Sequence, residues 1–259
     1  MATYLDRILA AHRTRVAADA RPLGALVNEA GAQPSARGFT AALRAAEGLA
    51  VIAEVKRRSP SRGDLAADLD PAALARAYER GGAACLSVLT DGGFFGGSAD
   101  DLRAARSATG LPALRKDFTV SAADVCDTRI MGADAVLLIA AALDDAELAE
   151  LHALAGDVGL DALVEVHDEA ELDRALAVGA TLVGVNQRDL VTFDVDHQRA
   201  VRVGRRMPPA VVRVAESGIR GPGDAAALAA AGFDAVLVGE SLVTHADPAA
   251  AVAALRTAR

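Results

Sequence analysis

Gly132-Ala133-Asp134-Ala135-Val136-Leu137-Leu138-Ile139 passes from a glycine that closes a helix-like stretch, through a short connector, into an unbroken apolar run. The pattern recurs in Gly81-Gly82-Ala83-Ala84-Cys85-Leu86-Ser87-Val88, in Gly179-Ala180-Thr181-Leu182-Val183-Gly184-Val185 and in Gly232-Phe233-Asp234-Ala235-Val236-Leu237-Val238. Glycine stops a helix because it enters the left-handed region without a Cβ clash, and an apolar run without polar alternation is a strand covered on both faces, as in a parallel sheet. Four further runs, Val51 to Val55, Pro112 to Leu114, Leu160 to Val166 and Val211 to Ala215, bring the strands to eight.

Amphipathic helical stretches lie between them. Asp70-Pro71 and Asp247-Pro248 set an N-cap before a proline at the first helical position, and Ser121 and Asp144 are further caps. Eight alternations of strand and helix predict an α/β fold, a (β/α)8 TIM barrel; an open doubly wound sheet shares the local pattern. The expected organisation is one domain over 1–259, with a helical N-terminal extension at 1–46 and the barrel at 47–259. In that extension Tyr4, Leu5, Ile8, Leu9, His12 and Val16 recur at helical spacing, which predicts a helix packed against the barrel.

Composition narrows the function. A net charge of -8 and an aromatic content of 3% oppose binding to nucleic acid. Charges interrupt the first twenty residues, and no later segment holds about 18 apolar residues without a charge, so neither a signal peptide nor a membrane span is expected and the protein reads as cytoplasmic. Cys85 and Cys126 sit among apolar or small residues without a ligand-spaced partner, which predicts burial and no metal site. Of the 27 basic residues only Lys56 and Lys116 are lysine. Arginine stays protonated at any working pH, whereas lysine can surrender a proton, so two lysines in an arginine-rich chain point to proton transfer.

Both lysines fall at carboxyl ends of strands, where parallel barrels carry their chemistry. The first strand ends in Glu54-Val55-Lys56, whose charged side chains share a side; Lys116, Glu165, Asn186 and Glu216 end the third, fifth, sixth and seventh. Three carboxylates and two lysines converging on a barrel mouth are costly to desolvate unless they form a paired acid–base network. His167 follows the fifth strand near a helix start, where a capping or hydrogen-bonding role suffices, and His12, His152, His197 and His245 read as surface or packing residues. Ser217-Gly218-Ile219 and Gly239-Glu240-Ser241, after the last two strands, put glycines and backbone amides where barrels often hold phosphate.

Glu54 to Ser61, Leu114 to Phe118, Val164 to His167, Gly184 to Leu190, Ala215 to Ile219 and Val238 to Leu242 together resemble the motifs of indole-3-glycerol-phosphate synthases. The resemblance runs in order from about residue 3 to the end. It implies a helical extension over the barrel mouth, and a lyase of tryptophan biosynthesis that closes the ring of 1-(2-carboxyphenylamino)-1-deoxyribulose 5-phosphate with loss of carbon dioxide and water. It makes Lys116 the general acid on the substrate carbonyl and implicates Glu165, Lys56 and Glu54 in proton transfers, with Asn186 and Glu216 positioning. It assigns the anthranilate end to Arg188, Ser59, Phe118 and Pro60, and the phosphate to Lys56, Ser217, Gly218, Gly239 and Glu240. No cofactor is implied, no membrane or nucleic-acid partner, and a monomer is expected. Which of Glu165 and Glu54 is the base, and whether Lys56 is an acid or chiefly a phosphate contact, stays open. One departure is Asp91-Gly92-Gly93-Phe94-Phe95-Gly96-Gly97-Ser98, where the family has bulkier polar residues; so many glycines suggest a mobile loop.

Two readings compete. Phosphoribosylanthranilate isomerase, a barrel of the same pathway, calls for a cysteine at the first strand end and an aspartate at the sixth, where this chain has Lys56 and Asn186. A phosphosugar-binding protein without turnover is compatible with the fold alone, but does not require the proton-transfer residues kept here.

Overall fold

The computed structural model describes residues 3–59, 62–189 and 194–256. Eight parallel strands follow one another in sequence order around a closed barrel: β1 (Ala50–Val55), β2 (Cys85–Leu89), β3 (Ala113–Lys116), β4 (Ala135–Ile139), β5 (Asp161–Val166), β6 (Leu182–Asn186), β7 (Val212–Glu216) and β8 (Ala235–Val238). The pairing of β8 with β1 closes the sheet and excludes the open alternative; Ile52 is level with Leu237 on one side and Cys85 on the other.

The repeat read from the sequence has a structural cause. Gly82, Gly132, Gly179 and Gly232 all have positive φ, between 81° and 92°. The residue after each donates its N–H to the carbonyl five positions earlier, as Ala133 does to Thr128 and Phe233 to Leu228, so each helix closes in the same left-handed turn and releases the chain into a strand. The predicted caps at Asp70, Ser121, Asp144 and Asp247 all accept first-turn N–H groups, and Asp144 completes a capping box with Glu147.

Two apolar layers result. Val51, Leu86, Val136, Val164, Val183 and Val236 point outward and meet the surrounding helices. Ala50, Ile52, Cys85, Leu114, Leu137, Leu163, Val214 and Leu237 fill the interior, so the barrel is a packed core rather than a pore. Cys85 and Cys126 are buried and free, as their surroundings suggested.

The N-terminal extension corrects one expectation. Its helices are α1 (Tyr4–Ala17), α2 (Leu23–Gly31) and α3 (Phe39–Ala45), and only α1 lies over the mouth. Leu26 and Ala30 of α2 join the outer core, and Phe39 and Leu43 of α3 plug the opposite end against the first residues of the strands. Burying each of the two plug side chains is worth roughly 2–3 kcal/mol. Arg37 and Thr40 fasten the plug by donating backbone N–H groups to Asp134 and Asp161.

Candidate active site

Side chains two apart on a strand share a face, so the interior layer continues into the mouth: Ile52 is followed by Glu54, Leu114 by Lys116, Leu163 by Glu165, Gly184 by Asn186 and Val214 by Glu216. They form the floor of a cavity of about 910 Å³. That volume suits a small-molecule ligand.

Lys116 sits at the centre. Its ammonium donates to Glu165 Oε2 at 3.1 Å and lies 3.8 Å from Glu216 Oε2, and Asn186 donates to the other Glu165 oxygen at 3.0 Å. Burial works against the charge of this lysine, but the surrounding carboxyls, Glu165 foremost, outweigh it and keep its pKa above the ordinary lysine value. Burial pushes Glu165 upward, and Lys116, His167 and the Asn186 hydrogen bond more than reverse that, so Glu165 stays ionised. Glu216 goes the other way: burial and the charge of Glu165 raise it to about 8. Two adjacent carboxyls pushed apart in this way make one base and one acid at neutral pH.

A second pair occupies the side of the mouth nearer β8. Lys56 Nζ is 2.6 Å from Glu54 Oε1, and Ser87 donates to Glu54 Oε2 at 3.4 Å. Both charged groups abut Gly239, where any Cβ would collide with Glu54 and press on Lys56. Gly239 precedes the short helix Glu240–Val243, which has no side-chain cap; Leu242 and Val243 donate to the Gly239 carbonyl, and the amides of Glu240 and Ser241 are left to meet an anion. Ser217 and Gly218 have φ of 67° and 73°, a conformation rare for serine. Gln187 supports it by donating to the Ser217 carbonyl at 2.8 Å.

A sequence model of the indole-3-glycerol phosphate synthases matches residues 5–255. The indole-3-glycerol phosphate synthase of Mycolicibacterium vanbaalenii is 52% identical over 99% of this chain and 95% of its own length. That of Mycobacterium ulcerans is 52% identical, and that of Mycobacterium bovis 50%, with the same coverage. The chain belongs to the indole-3-glycerol phosphate synthase family. A solved thiamine phosphate pyrophosphorylase from Pyrococcus furiosus is similar over 80% of this chain and 93% of its own, with a TM-score of 0.61 and 16% identity, a likeness of fold.

The cavity brings together Glu54, Lys56, Ser59, Lys116, Phe118, Glu165, Asn186, Arg188, Glu216, Ser217, Gly218, Gly239 and Glu240. Pro60, also expected there, lies outside the described residues. Among the described residues no helix is long and apolar enough to cross a membrane.

Four further contributors were not singled out from the sequence. Gly184 is required because a Cβ there would collide with Glu216; a glycine inside an apolar strand was the signal. Gln187 is a second, and Arg62, paired with Glu240 at 2.9 Å on the rim, a third. The fourth is His12, which was expected as surface or packing and instead forms a buried polar latch. Its Nδ1 faces the Arg15 guanidinium at 3.0 Å, which can only donate, so Nε2 carries the proton and donates to Asp91 at 2.9 Å.

His12, Asp91 and Asp117 could together offer ligands to a metal ion. Their oxygens are already used: Asp91 caps Phe94 and Phe95, and Asp117 accepts from Phe118, Thr90 and Arg115. This donor set serves the fold. It fixes α1, whose Tyr4 packs on Phe94, beside an aromatic wall of Phe94, Phe95 and Phe118. The glycine-rich loop takes part in this wall: Gly92–Phe95 is a helical turn, Gly96 adopts positive φ, and Gly97 lies so close to the Leu89 carbonyl that no side chain fits.

Proposed function

We propose that the chain catalyses the reaction of its family: it converts 1-(2-carboxyphenylamino)-1-deoxyribulose 5-phosphate to indole-3-glycerol phosphate, carbon dioxide and water. The observation that carries this reading is Lys116, a buried ammonium kept charged between Glu165 and Glu216 on the cavity floor. Lys116 protonates the ketone oxygen as the aromatic ring carbon bonds to the ketone carbon, and departure of carbon dioxide restores aromaticity. Dehydration then requires a base to remove a proton and an acid to release the hydroxyl as water.

Glu165 is the better-supported base, because Lys116 and Asn186 orient it and it is held ionised, whereas Glu54 is engaged by Lys56 beside Gly239. Lys56 and the amides around Ser217, Gly218, Gly239 and Glu240 take the phosphate; Phe118, Ser59 and Arg188 take the carboxyphenyl end. Asn186 and Glu216 position the reacting groups. The active unit in this reading is a monomer. The test is incubation of the protein with the substrate while indole fluorescence is recorded, which is feasible because the chain contains no tryptophan. A rise in indole emission is expected. Folded protein that forms no indole product overturns the reading.

A further inference from the structure

His167 stands at the end of β5, two residues beyond Glu165, and the proton transfers described so far do not use it. Its backbone N–H donates to Glu171 Oε2 at 2.7 Å, and its Nδ1 is 3.1 Å from the same oxygen. A carboxylate oxygen can only accept, so Nδ1 carries a proton. The opposite nitrogen, Nε2, is buried, has no hydrogen-bond partner among the described residues, and lies 3.6 Å from Glu165 Oε1. A neutral ring in this pose would aim a lone pair at the lone pairs of a carboxylate. A protonated ring replaces that repulsion with attraction.

We propose that Glu171 and His167 form a positioning pair that keeps Glu165 ionised while Lys116 gives up its proton. The proposal rests on the reading of Glu165 as the base. Lys116 is the nearest counter-charge to Glu165, and in the proposed reaction it becomes neutral when it protonates the ketone. Glu165 would at that moment face burial without its nearest cation, and its tendency would be to take up a proton before dehydration needs it as a base. An imidazolium on the other side of Glu165 is not consumed by ring closure and preserves the charge.

The charges around the pair are few. Glu165 is faced by Lys116, Glu216, the Asn186 amide and His167; His167 is faced by Glu165, by Glu171 and by Arg199, which opposes its protonation. Burial also works against a charged ring, yet the Glu171 hydrogen bond and Glu165 prevail and raise His167 above the ordinary histidine value. Arg199 is drawn toward the Asn186 carbonyl at 3.5 Å and Asp189 at 3.6 Å, which leaves Glu171 the partner in direct contact with the ring.

The experiment combines histidine-labelled NMR titration of the full chain with the pH dependence of kcat, for the parent protein and for Glu165→Gln, His167→Gln and Glu171→Gln. The His167 signal, identified by its loss in His167→Gln, is expected to titrate above the ordinary value of about 6.5. In Glu165→Gln its midpoint should fall by about one pH unit, the least shift typical of losing an adjacent opposite charge. In His167→Gln the acidic limb of kcat should move up by about one pH unit with KM nearly unchanged, and Glu171→Gln should move it the same way. A His167 midpoint unmoved by Glu165→Gln overturns the pairing whatever the kinetics show. If Glu165→Gln abolishes turnover while His167→Gln scales kcat equally at every pH, the pairing fails and the base reading stands. Near-normal turnover in Glu165→Gln overturns the base reading, and the proposal with it. His167→Asn replaces His167→Gln, for the assignment and for the kinetics, if the latter is unstable.

Discussion

The two ends of the same eight strands treat buried charge in opposite ways. At the closed end Asp134, with no exposed surface, accepts from Arg37 N and Ala113 N and from two nitrogens of Arg106, all between 2.8 and 2.9 Å. Burial would raise its pKa, but Arg106 and the backbone donors hold it below the ordinary value. At the mouth Glu54, Glu165 and Glu216 share two lysines, and Glu216 Oε1, His167 Nε2 and Gln187 Oε1 have no partner among the described residues. Satisfied polar groups rigidify a structure; unsatisfied ones are a cost retained where chemistry needs them. The comparison teaches that residues of similar burial serve stability at one end and reactivity at the other, according to whether their partners are complete.

The sharpest way to break this comparison is Asp134→Ala. It strips the buried partner from Arg106 and from two backbone donors, so unfolding free energy should fall by about 3–5 kcal/mol while the folded fraction keeps its turnover. A loss below about 1 kcal/mol in denaturant titration would mean that the closed end is not the stabilising one. Lys116→Arg inverts the pattern. Stability should hardly change, yet kcat should drop by at least about 10²-fold, roughly 2.7 kcal/mol, because arginine keeps the charge but does not donate readily. Steady-state turnover near the parent value would show that the carboxylates carry the proton chemistry.

Smaller effects sharpen the division within the mouth. Gly239→Ala places a methyl against Glu54 and Lys56, and KM should rise about tenfold, worth about 1.4 kcal/mol, with less change in kcat. A pure kcat defect would move the phosphate elsewhere. Lys56→Arg should likewise act through KM if Lys56 chiefly contacts phosphate; accumulation of an intermediate past ring closure in rapid-quench samples would instead make it the acid of dehydration.

The subtlest test concerns pH. Burial and Glu165 raise Glu216 to about 8, against about 4.5 when unfolded, so the unfolded chain loses this proton first. Stability should therefore decline as pH rises from about 4.5 to 8, the reverse of a salt-bridged carboxylate, and Glu216→Gln should flatten that part of the melting curve. The change is expected to be modest, since Lys116 and Glu165 titrate together with Glu216. An identical pH profile in Glu216→Gln would show that Glu216 is ionised in the folded protein.

What the sequence by itself determined is whatever depends on neighbours along the chain. Glycine closures and caps are local, so the eight strands and their helices were legible; the period of two along a strand also put Glu54 with Lys56 and brought Lys116, Glu165, Asn186 and Glu216 to one rim. Gly184 and Gln187 stood inside recognisable motifs, yet what they do depends on Glu216 and Ser217, 32 and 30 residues away. The tertiary structure alone decided closure of the sheet between β1 and β8, the descent of α3 to plug the far end, and the conversion of His12 from a packing residue into a latch on Asp91, 79 positions distant. It also pushed the two carboxyls apart, Glu165 below and Glu216 above the ordinary glutamate value. The physical reason is one and the same: a buried charge takes its state from whichever groups the fold brings within a few ångströms, and those distances are not written in the spacing of residues along the chain.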